Sequence, residues 1–157
     1  MILDDRDLAI LGILQRDAKL SAKKISDAID CPVTTVYSRI KKLEEMNVIK
    51  GYTTSLNHEM LGWTTTAFVF ASIRYEHDDS DTTIGSREIA NEISKFEEVQ
   101  EVHIISGNWD LLVKLKAKDV SSVGEFVIDK IRELRGVQKT LTSMVFETLK
   151  NTDYIPI

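Results

Sequence analysis

The sequence predicts an α+β protein of two domains, a winged-type helix-turn-helix over residues 1–53 and a ferredoxin-like βαββαβ domain over residues 64–157, joined by a hinge at 54–63. Apolar residues in the first fifty positions recur at three- and four-residue intervals, as they do in amphipathic helices. From residue 64 onward, runs of β-branched and aromatic residues alternate with helical patterns in the order strand, helix, strand, strand, helix, strand. This change of periodicity separates the two domains.

The first domain contains three predicted helices. The first begins at Asp4 or Asp5, either of which can accept hydrogen bonds from the free amide groups of the first turn. Ser21 is the expected N-cap of the second helix, whose apolar face comprises Ile25, Ala28 and Ile29. The short connection between the second and third helices is typical of a helix-turn-helix.

The third helix follows the connection at 30–32, whose Pro32 suits the first turn of a helix. It is expected to run to about Met46 and to face inward at Val36, Ile40 and Leu43. Asn47 stands where a left-handed residue commonly ends a helix. Residues 48–53 then change to β character.

Four strands and two helices are predicted in the second domain. The strands are 66–75, 99–105, 111–117 and 137–148, and the helices are 86–96 and one that begins at Ser121 or Ser122 and ends at Gly136. An exposed acidic loop is expected over 76–85, and Gly107-Asn108 is a hairpin signal between the second and third strands. Since two helices cover one face of such a sheet, the other face needs a partner, usually a second copy of the chain.

Composition and charge narrow the class of protein. The 157 residues are 43% hydrophobic and 29% charged, with neither a membrane span nor a signal-peptide pattern, so we expect a cytoplasmic protein. The single cysteine, Cys31, rules out an internal disulfide and a cysteine-based zinc cluster. The net charge is −5, but residues 1–62 hold nine basic and nine acidic side chains. Because local charge is what meets phosphate, the acidic total does not exclude nucleic acid, although it predicts weak non-specific binding.

The third helix carries the strongest candidate surface for nucleic acid. The residues opposite its apolar stripe are Thr34, Ser38, Lys41 and, slightly turned, Lys42. Hydroxyls near the start of a helix suit base edges and phosphates, and lysines further along suit the phosphate backbone. A solvated helix face would be the better interpretation of this pattern alone, but the two preceding helices at helix-turn-helix spacing favour DNA.

Further residues flank this surface. Those on the sides of the third helix, which either touch the groove walls or brace the helix, are Thr35, Tyr37 and Arg39. Lys23 and Lys24, near the start of the second helix, are candidates for phosphate contact where that helix crosses the DNA backbone.

A second candidate site is the turn formed by Ser106, Gly107, Asn108, Trp109 and Asp110. A turn with a glycine presents backbone N–H groups, and a nearby carboxylate can meet an amino group, so the turn could hold an amino-acid-like ligand. The local pattern by itself favours a plain β-turn with a packed tryptophan. Hydroxyls of the last strand that could contribute are Thr140, Thr142 and Ser143, although alternating threonine is also ordinary in strands.

The other titratable side chains do not suggest catalysis. The three histidines lack metal-ligand spacing, His103 is expected at the surface of the sheet, and the acidic cluster at 78–81 is best interpreted as a solvated loop. The sequence contains no phosphate-binding loop, nucleophile elbow or paired-cysteine motif. We therefore expect no catalytic residue, no metal and no cofactor.

Four stretches of the chain resemble the Lrp/AsnC (leucine-responsive, feast/famine) regulators, namely LDDRDLAILGILQRDAKLSAKKISDAI, VTTVYSRIKKLEEMNVIKGY, GNWDLLVKLKAKD and GVQKTLTSMV. The similarity extends from about Leu3 to Lys150. The T-V-x-x-R-I-K-x-L-E block at 35–44 and the G-x-x-D turn at 107–110 are jointly specific for this family.

The resemblance implies a sequence-specific transcription regulator that binds double-stranded DNA through the helix at 33–46. Members of the family bind pseudo-palindromic operators as dimers, with half-sites about one turn of DNA, roughly 34 Å, apart. Their second domains pair through the sheets to form homodimers and often octamers. In members that sense effectors, amino acids bind between subunits, near the positions matched by 107–110 and by Thr140 and Thr142.

The chain departs from the family pattern at three places. Pro32 stands where a serine usually opens the recognition helix, so Cys31 or Asp30 is expected to cap it. Asn47 replaces a glycine but tolerates the same left-handed conformation. The usual G-D-Y-D turn is G-N-W-D at 107–110, which removes a carboxylate that could meet a ligand ammonium group and leaves the effector's identity open.

Two other functions stay open at this point. Sirohaem decarboxylases have a similar two-domain layout. Such an enzyme needs a basic, histidine-bearing pocket for a tetrapyrrole with many carboxylates, whereas residues 63–157 are acidic and contain two histidines. The other alternative is a DNA-organising protein that responds to no effector. Binding with weak sequence preference and no response to metabolites would favour it.

Overall fold

The computed structural model describes residues 3–74 and 85–157, so the acidic loop expected at 76–85 falls outside the described residues except for Gly85. The chain forms two compact units: one comprises residues up to Ser55 together with Lys150–Ile157, and the other comprises Leu56–Leu149. We call them the helical domain and the sheet domain. The segment at 150–157, which the sequence placed with the second domain, therefore packs with the first. The hinge region contains a short 3-10 helix at Glu59–Leu61 and a left-handed Gly62.

The helical domain contains α1 (Asp5–Leu14), α2 (Ala22–Ile29) and α3 (Val33–Glu45). Asp4 is the N-cap of α1: its carboxylate accepts a hydrogen bond from the Asp7 N–H at 2.9 Å, and the Asp7 carboxylate accepts one from the Asp4 N–H at 3.2 Å. Ser21 caps α2, as predicted, by accepting from the Lys24 N–H. The core of this domain is formed by fully buried side chains from all three helices, Ile10, Ile25, Val36 and Leu43.

Two expectations at the turn between α2 and α3 are wrong. Neither Cys31 nor Asp30 caps α3: Pro32 is the N-cap and provides no side-chain acceptor, Asp30 ends α2 in the left-handed conformation, and Cys31 is buried. In α2, Ala28 is exposed, and Ser26 faces inward instead. The Ser26 hydroxyl donates to the Cys31 carbonyl, so burial leaves neither group unsatisfied.

The end of α3 agrees with the sequence, since Asn47 is left-handed with φ 57°. Residues 48–53, for which β character was expected, form no strand in the described structure. A strand needs a neighbour that supplies hydrogen bonds, and the sheet recorded among the described residues belongs entirely to the other domain. The wing of the expected helix-turn-helix is therefore an irregular, largely exposed segment.

The sheet domain has the predicted βαββαβ order. Its elements are β1 (Thr65–Ile73), α4 (Ser86–Ile93), β2 (Val99–Ile104), β3 (Leu111–Ala117), α5 (Val120–Phe126), which continues as a π-helical turn (Val127–Ile131), and β4 (Val137–Met144). The strands form one antiparallel sheet in the order β2-β3-β1-β4. The ferredoxin-like class predicted from the sequence is confirmed.

Two element boundaries differ from the prediction. Asp119, and not Ser121 or Ser122, caps α5: its carboxylate accepts from the Ser122 N–H at 2.7 Å and from the Ser122 hydroxyl at 2.8 Å. β4 ends at Met144 and does not reach residue 148, because its partner β1 begins at Thr65. The last hydrogen bond between this part of the chain and β1 is donated by the Val145 N–H to the Thr66 carbonyl.

The sheet has one face covered by helices and one open face. Alternate residues of the two central strands, such as Val69 and Val113, are fully buried in a core with α4, α5 and the π-helical turn. The register places His103, Leu112, Phe70 and Leu141 in one row across all four strands on the opposite face. We call this second surface the open face.

Candidate DNA-binding surface and ligand turn

α3 presents a polar stripe to solvent opposite its buried stripe. Val36 and Leu43 are at most 1% exposed. The predicted contact residues that are exposed on α3 are Thr34, Tyr37, Ser38, Lys41 and Lys42. The Ser38 hydroxyl donates to the Thr35 carbonyl at 2.9 Å, which fixes the side chain and leaves the oxygen as an acceptor. Thr35 itself is half-buried.

Arg39 contacts carboxylates of α1. Its Nη1 lies 2.7 Å from Asp4 Oδ2 and 2.7 Å from Asp7 Oδ1, and the side chain is only 24% exposed. Hydrogen bonds to Asp4 and Asp7 raise the pKa of Arg39, while hydrogen bonds from the Asp7 N–H and from Arg39 lower the pKa of Asp4. Of the two roles that the sequence left open for Arg39, this geometry supports bracing of α3 against α1.

The lysines of the surface are less constrained. The Lys41 ammonium lies 3.8 Å from the Glu45 carboxylate. Because both side chains are exposed, this ion pair adds little to the stability of the fold. Lys42 has no carboxylate partner within the described part of the chain, and Lys23 and Lys24 are exposed at the start of α2. Glu44 is turned to the other side, where the Tyr52 hydroxyl donates to it at 2.9 Å. Burial, and then this contact, raise the pKa of Tyr52.

The turn at 106–110 is fastened to β1 through Asp110. The Asp110 N–H donates to the Ala71 carbonyl at 3.0 Å, and Asp110 Oδ2 accepts from the Ile73 N–H at 2.7 Å. Gly107 has φ 116°, which favours glycine. The Trp109 ring lies 6.1 Å from the Phe70 ring, on the open face. Main-chain and side-chain bonds therefore hold this turn in place beside that face.

Ser72 is the residue of this region that the sequence did not single out. It lies between Ala71 and Ile73, the two residues that Asp110 contacts, and its buried hydroxyl has no hydrogen-bond partner in the described structure. An unsatisfied buried hydroxyl costs free energy, so a hydrogen bond to an ordered water or to a bound group would be favoured. Only the structure could identify Ser72, because its place beside the turn follows from the hydrogen bonds of Asp110 to the neighbouring residues of β1.

The three hydroxyls of β4 are divided between the two faces. Thr140 and Thr142 pair with Ala71 and Val69, so both lie on the helix-covered side, while Ser143 pairs with Phe68 on the open face. Thr140 lies at the same end of the sheet as the turn, because its partner Ala71 is bonded to Asp110.

Two family models match the chain and cover nearly its full length. Residues 66–155 match the Lrp/AsnC ligand binding domain, and residues 3–50 match a winged helix-turn-helix DNA-binding domain. The chain belongs to the Lrp/AsnC family. It is a DNA-binding transcription regulator of that type, and the resemblance seen in the sequence is confirmed.

Named relatives and solved structures agree with this assignment. The Lrp/AsnC chain is 42% identical over 149 residues to an uncharacterized HTH-type transcriptional regulator of Pyrococcus abyssi, covering 95% of this chain and 96% of the relative. It is 34% identical over 155 residues to the regulator FL11 of the same organism, covering 99% and 97%. A Neisseria meningitidis transcriptional regulator, solved as a complex with L-methionine, superposes with a TM-score of 0.89 at 26% identity, covering 99% and 97%.

The structure adds two observations on this Lrp/AsnC regulator. Among the described residues, no group of three or more His, Cys, Asp and Glu side chains is arranged to hold a metal ion, and no helix has the length and apolar character needed to cross a membrane. His103 lies on the sheet surface, as expected, 3.1 Å from Glu101, which also pairs with Lys114 at 2.7 Å. Both contacts lower the pKa of Glu101, the Lys114 hydrogen bond most.

Proposed function

We propose that this regulator binds pseudo-palindromic operators as a homodimer, and that an amino acid bound at the 106–110 turn changes how dimers associate. The observation that carries the DNA-binding role is the exposed stripe of α3, which combines hydroxyls near the helix start with lysines further along. Thr34 and Ser38 read base edges in the major groove, whereas Lys41 and Lys42 contact phosphates. Lys23 and Lys24 contact phosphates of the DNA backbone where α2 crosses it.

The open face supports the homodimer. Phe70 lies in a row with Leu112 and Leu141, and Leu141 is 48% exposed in the single chain. Burial of apolar surface is favourable by about 25 cal/mol per Å², so a second copy that covers this row stabilises the pair. A two-fold arrangement presents the same face from both chains and places two α3 helices on one dimer, as a pseudo-palindromic operator requires.

The ligand proposal rests on the turn and on the Neisseria relative. That protein was solved with L-methionine, which makes an apolar amino acid the first ligand to test. In this chain, backbone N–H groups of the turn would bind the ligand carboxylate, and the Asp110 carboxylate would bind its ammonium. Trp109 would pack against an apolar side chain of the ligand. The Ser72 hydroxyl would form a hydrogen bond with the ligand or with a partner chain.

We further infer that the protein acts in the cytoplasm and catalyses no reaction. The names of the relatives, which are transcriptional regulators, support this inference.

A titration of the protein against DNA from its own upstream region tests the regulator proposal. It is run with a scrambled competitor at two salt concentrations and followed by footprinting. Specific, salt-sensitive binding with protection repeating at about one helical turn is expected. No binding at either salt concentration would contradict the proposal and direct attention to tetrapyrrole chemistry.

Calorimetric titration with L-methionine tests the ligand site. Asp110→Asn keeps an oxygen that can accept from the Ile73 N–H but removes the charge, so at least a tenfold loss of affinity is expected. Asp129→Asn, at an exposed position of the π-helical turn, is the control and should bind normally. Equal affinity of the two variants would exclude Asp110 as the ammonium partner.

A further inference from the structure

The segment Lys150–Ile157, which we call the strap, returns to the helical domain after the last strand. The Ile155 N–H donates to Gln15 Oε1 at 3.0 Å, and Gln15 Nε2 donates to the Ile155 carbonyl at 3.2 Å. A single side-chain amide therefore satisfies both backbone groups of one strap residue, as a neighbouring strand would.

A second set of contacts surrounds this pair. The Arg16 guanidinium lies 6.0 Å from the centre of the Tyr154 ring. The strap borders a cavity of about 560 Å³, whose walls come from α1, the 48–53 segment and the strap itself, including Leu8, Leu11, Leu14, Ile49 and Tyr52. Ile155 nevertheless remains 61% exposed. The strap is thus docked by specific but few contacts, which is typical of a segment that opens at low cost.

The strap does not cover the DNA-binding surface. Its contacts lie on Gln15 and Arg16 at the end of α1, and the cavity that it borders is lined by no residue of α3. The chain passes between the two domains twice, after Ser55 and before Lys150. Each additional connection between two bodies removes arrangements that a single flexible linker would allow.

We propose that the strap is a second tether of the helical domain, and that its docking narrows the range of half-site spacings that the dimer accepts. This inference rests on the proposed dimeric regulator. With the strap docked, the helical domain is connected on both sides. With the strap released, the connection through residues 54–63 alone permits a wider range of positions, and operators with altered spacing lose less affinity.

Hydrogen exchange of the strap amides in the full chain tests docking without DNA. Gln15→Ala removes both hydrogen bonds to Ile155 and should speed strap exchange by about tenfold. Gln138→Ala makes the same change at an exposed position of β4 and should leave strap exchange as in the unmodified protein. Equal strap exchange in all three proteins would overturn the docking.

Affinity for a series of operators tests the consequence of docking. The half-site centres are set one helical turn apart and then shifted by up to five base pairs. The unmodified protein should lose affinity steeply as the spacing changes, whereas Gln15→Ala and a chain shortened to end at Leu149 should lose at least threefold less. Identical spacing profiles would overturn the proposal. If no operator binds, the proposed function fails, and the exchange experiment still decides whether the strap docks.

Discussion

The guanidinium of Arg39 lies between the carboxylates of Asp4 and Asp7, and we expect the hydrogen bonds of Asp4 to make the start of α1 sensitive to acid. The pKa of Asp4 is lowered from its ordinary 3.8, first by the hydrogen bond from the Asp7 N–H and then by Arg39. A carboxyl group whose pKa falls on folding stabilises the folded state above its ordinary pKa, and this contribution disappears as the pH drops through the lowered value.

Asp4→Asn separates the charge from the cap. Asparagine still accepts a hydrogen bond from the Asp7 N–H, so the cap is retained while the ion pair between Asp4 and Arg39 is lost and that between Asp7 and Arg39 remains. The helical signal of the unmodified protein, followed by circular dichroism, should fall more steeply below about pH 4 than that of the variant. Parallel acid titrations would show that the charge of Asp4 contributes nothing to the stability of the helical domain.

Lys42→Ala tests a phosphate contact. Loss of one contact should weaken binding to every DNA sequence and reduce the slope of log affinity against log salt by about one unit. Lys118→Ala, at an exposed position of the sheet domain, is the control and should leave the slope as it is. A loss confined to the specific operator would assign Lys42 to base recognition instead.

Ser38→Ala tests base recognition. The affinity ratio between the operator and a scrambled sequence should fall by about fivefold or more, while the salt slope stays unchanged. Ser94→Ala is a closely matched control, because the Ser94 hydroxyl also donates to a carbonyl three residues earlier, that of Asn91, at 2.8 Å. A uniform loss on both DNA sequences would argue that Ser38 only stabilises the helix.

At the scale of elements, the open face of the sheet is expected to control assembly. Leu141→Asp places a charge in the apolar row with Phe70 and Leu112 and should shift the protein from dimer to monomer in sedimentation at micromolar concentration. Ile128→Asp provides the matched control, since Ile128 is 57% exposed but lies on the π-helical turn. A dimer that survives Leu141→Asp would place the interface elsewhere.

The identity and order of the elements could be predicted because each buries one face with a clear period, as Val36 and Leu43 do in α3. The ends were less predictable where a partner decides them. β4 ends at Met144 because only two residues of β1, Thr65 and Thr66, lie beyond the Ala67–Met144 pair, and 48–53 stays irregular because it has no neighbouring strand. The N-cap of α5 is Asp119, and the prediction missed it because several adjacent polar residues were equally plausible from the sequence.

The candidate sites were predictable to the same extent. Helical periodicity identifies the exposed stripe of α3, but not that Arg39 pairs with carboxylates some thirty residues away. A glycine and an aspartate indicate the turn at 107–110, whereas the position of Ser72 depends on the pairing of strands distant in sequence. Contacts between distant positions leave no local pattern, and these were the parts that the sequence could not provide.

At the scale of the whole molecule, the two domains divide the charge between them. The helical domain holds ten basic and nine acidic side chains, whereas the sheet domain holds ten basic and sixteen acidic ones. We therefore expect long-range attraction to DNA to be weak and the proposed phosphate contacts of the α3 lysines to provide much of the affinity. The strap adds a second connection between these domains. Composition and periodicity had assigned the strap to the sheet domain alone.

In the proposed homodimer the open face is covered only by pairing, and the protein's own abundance then becomes part of the signal. While most chains are single, the amount of the two-headed species rises with the square of the total, so a twofold change in synthesis gives about a fourfold change in operator-competent protein. Operators of different strength would then be filled at different total concentrations of the protein. If the row through Phe70 forms the proposed dimer contact, it converts a graded supply of chains into a sharper genetic response.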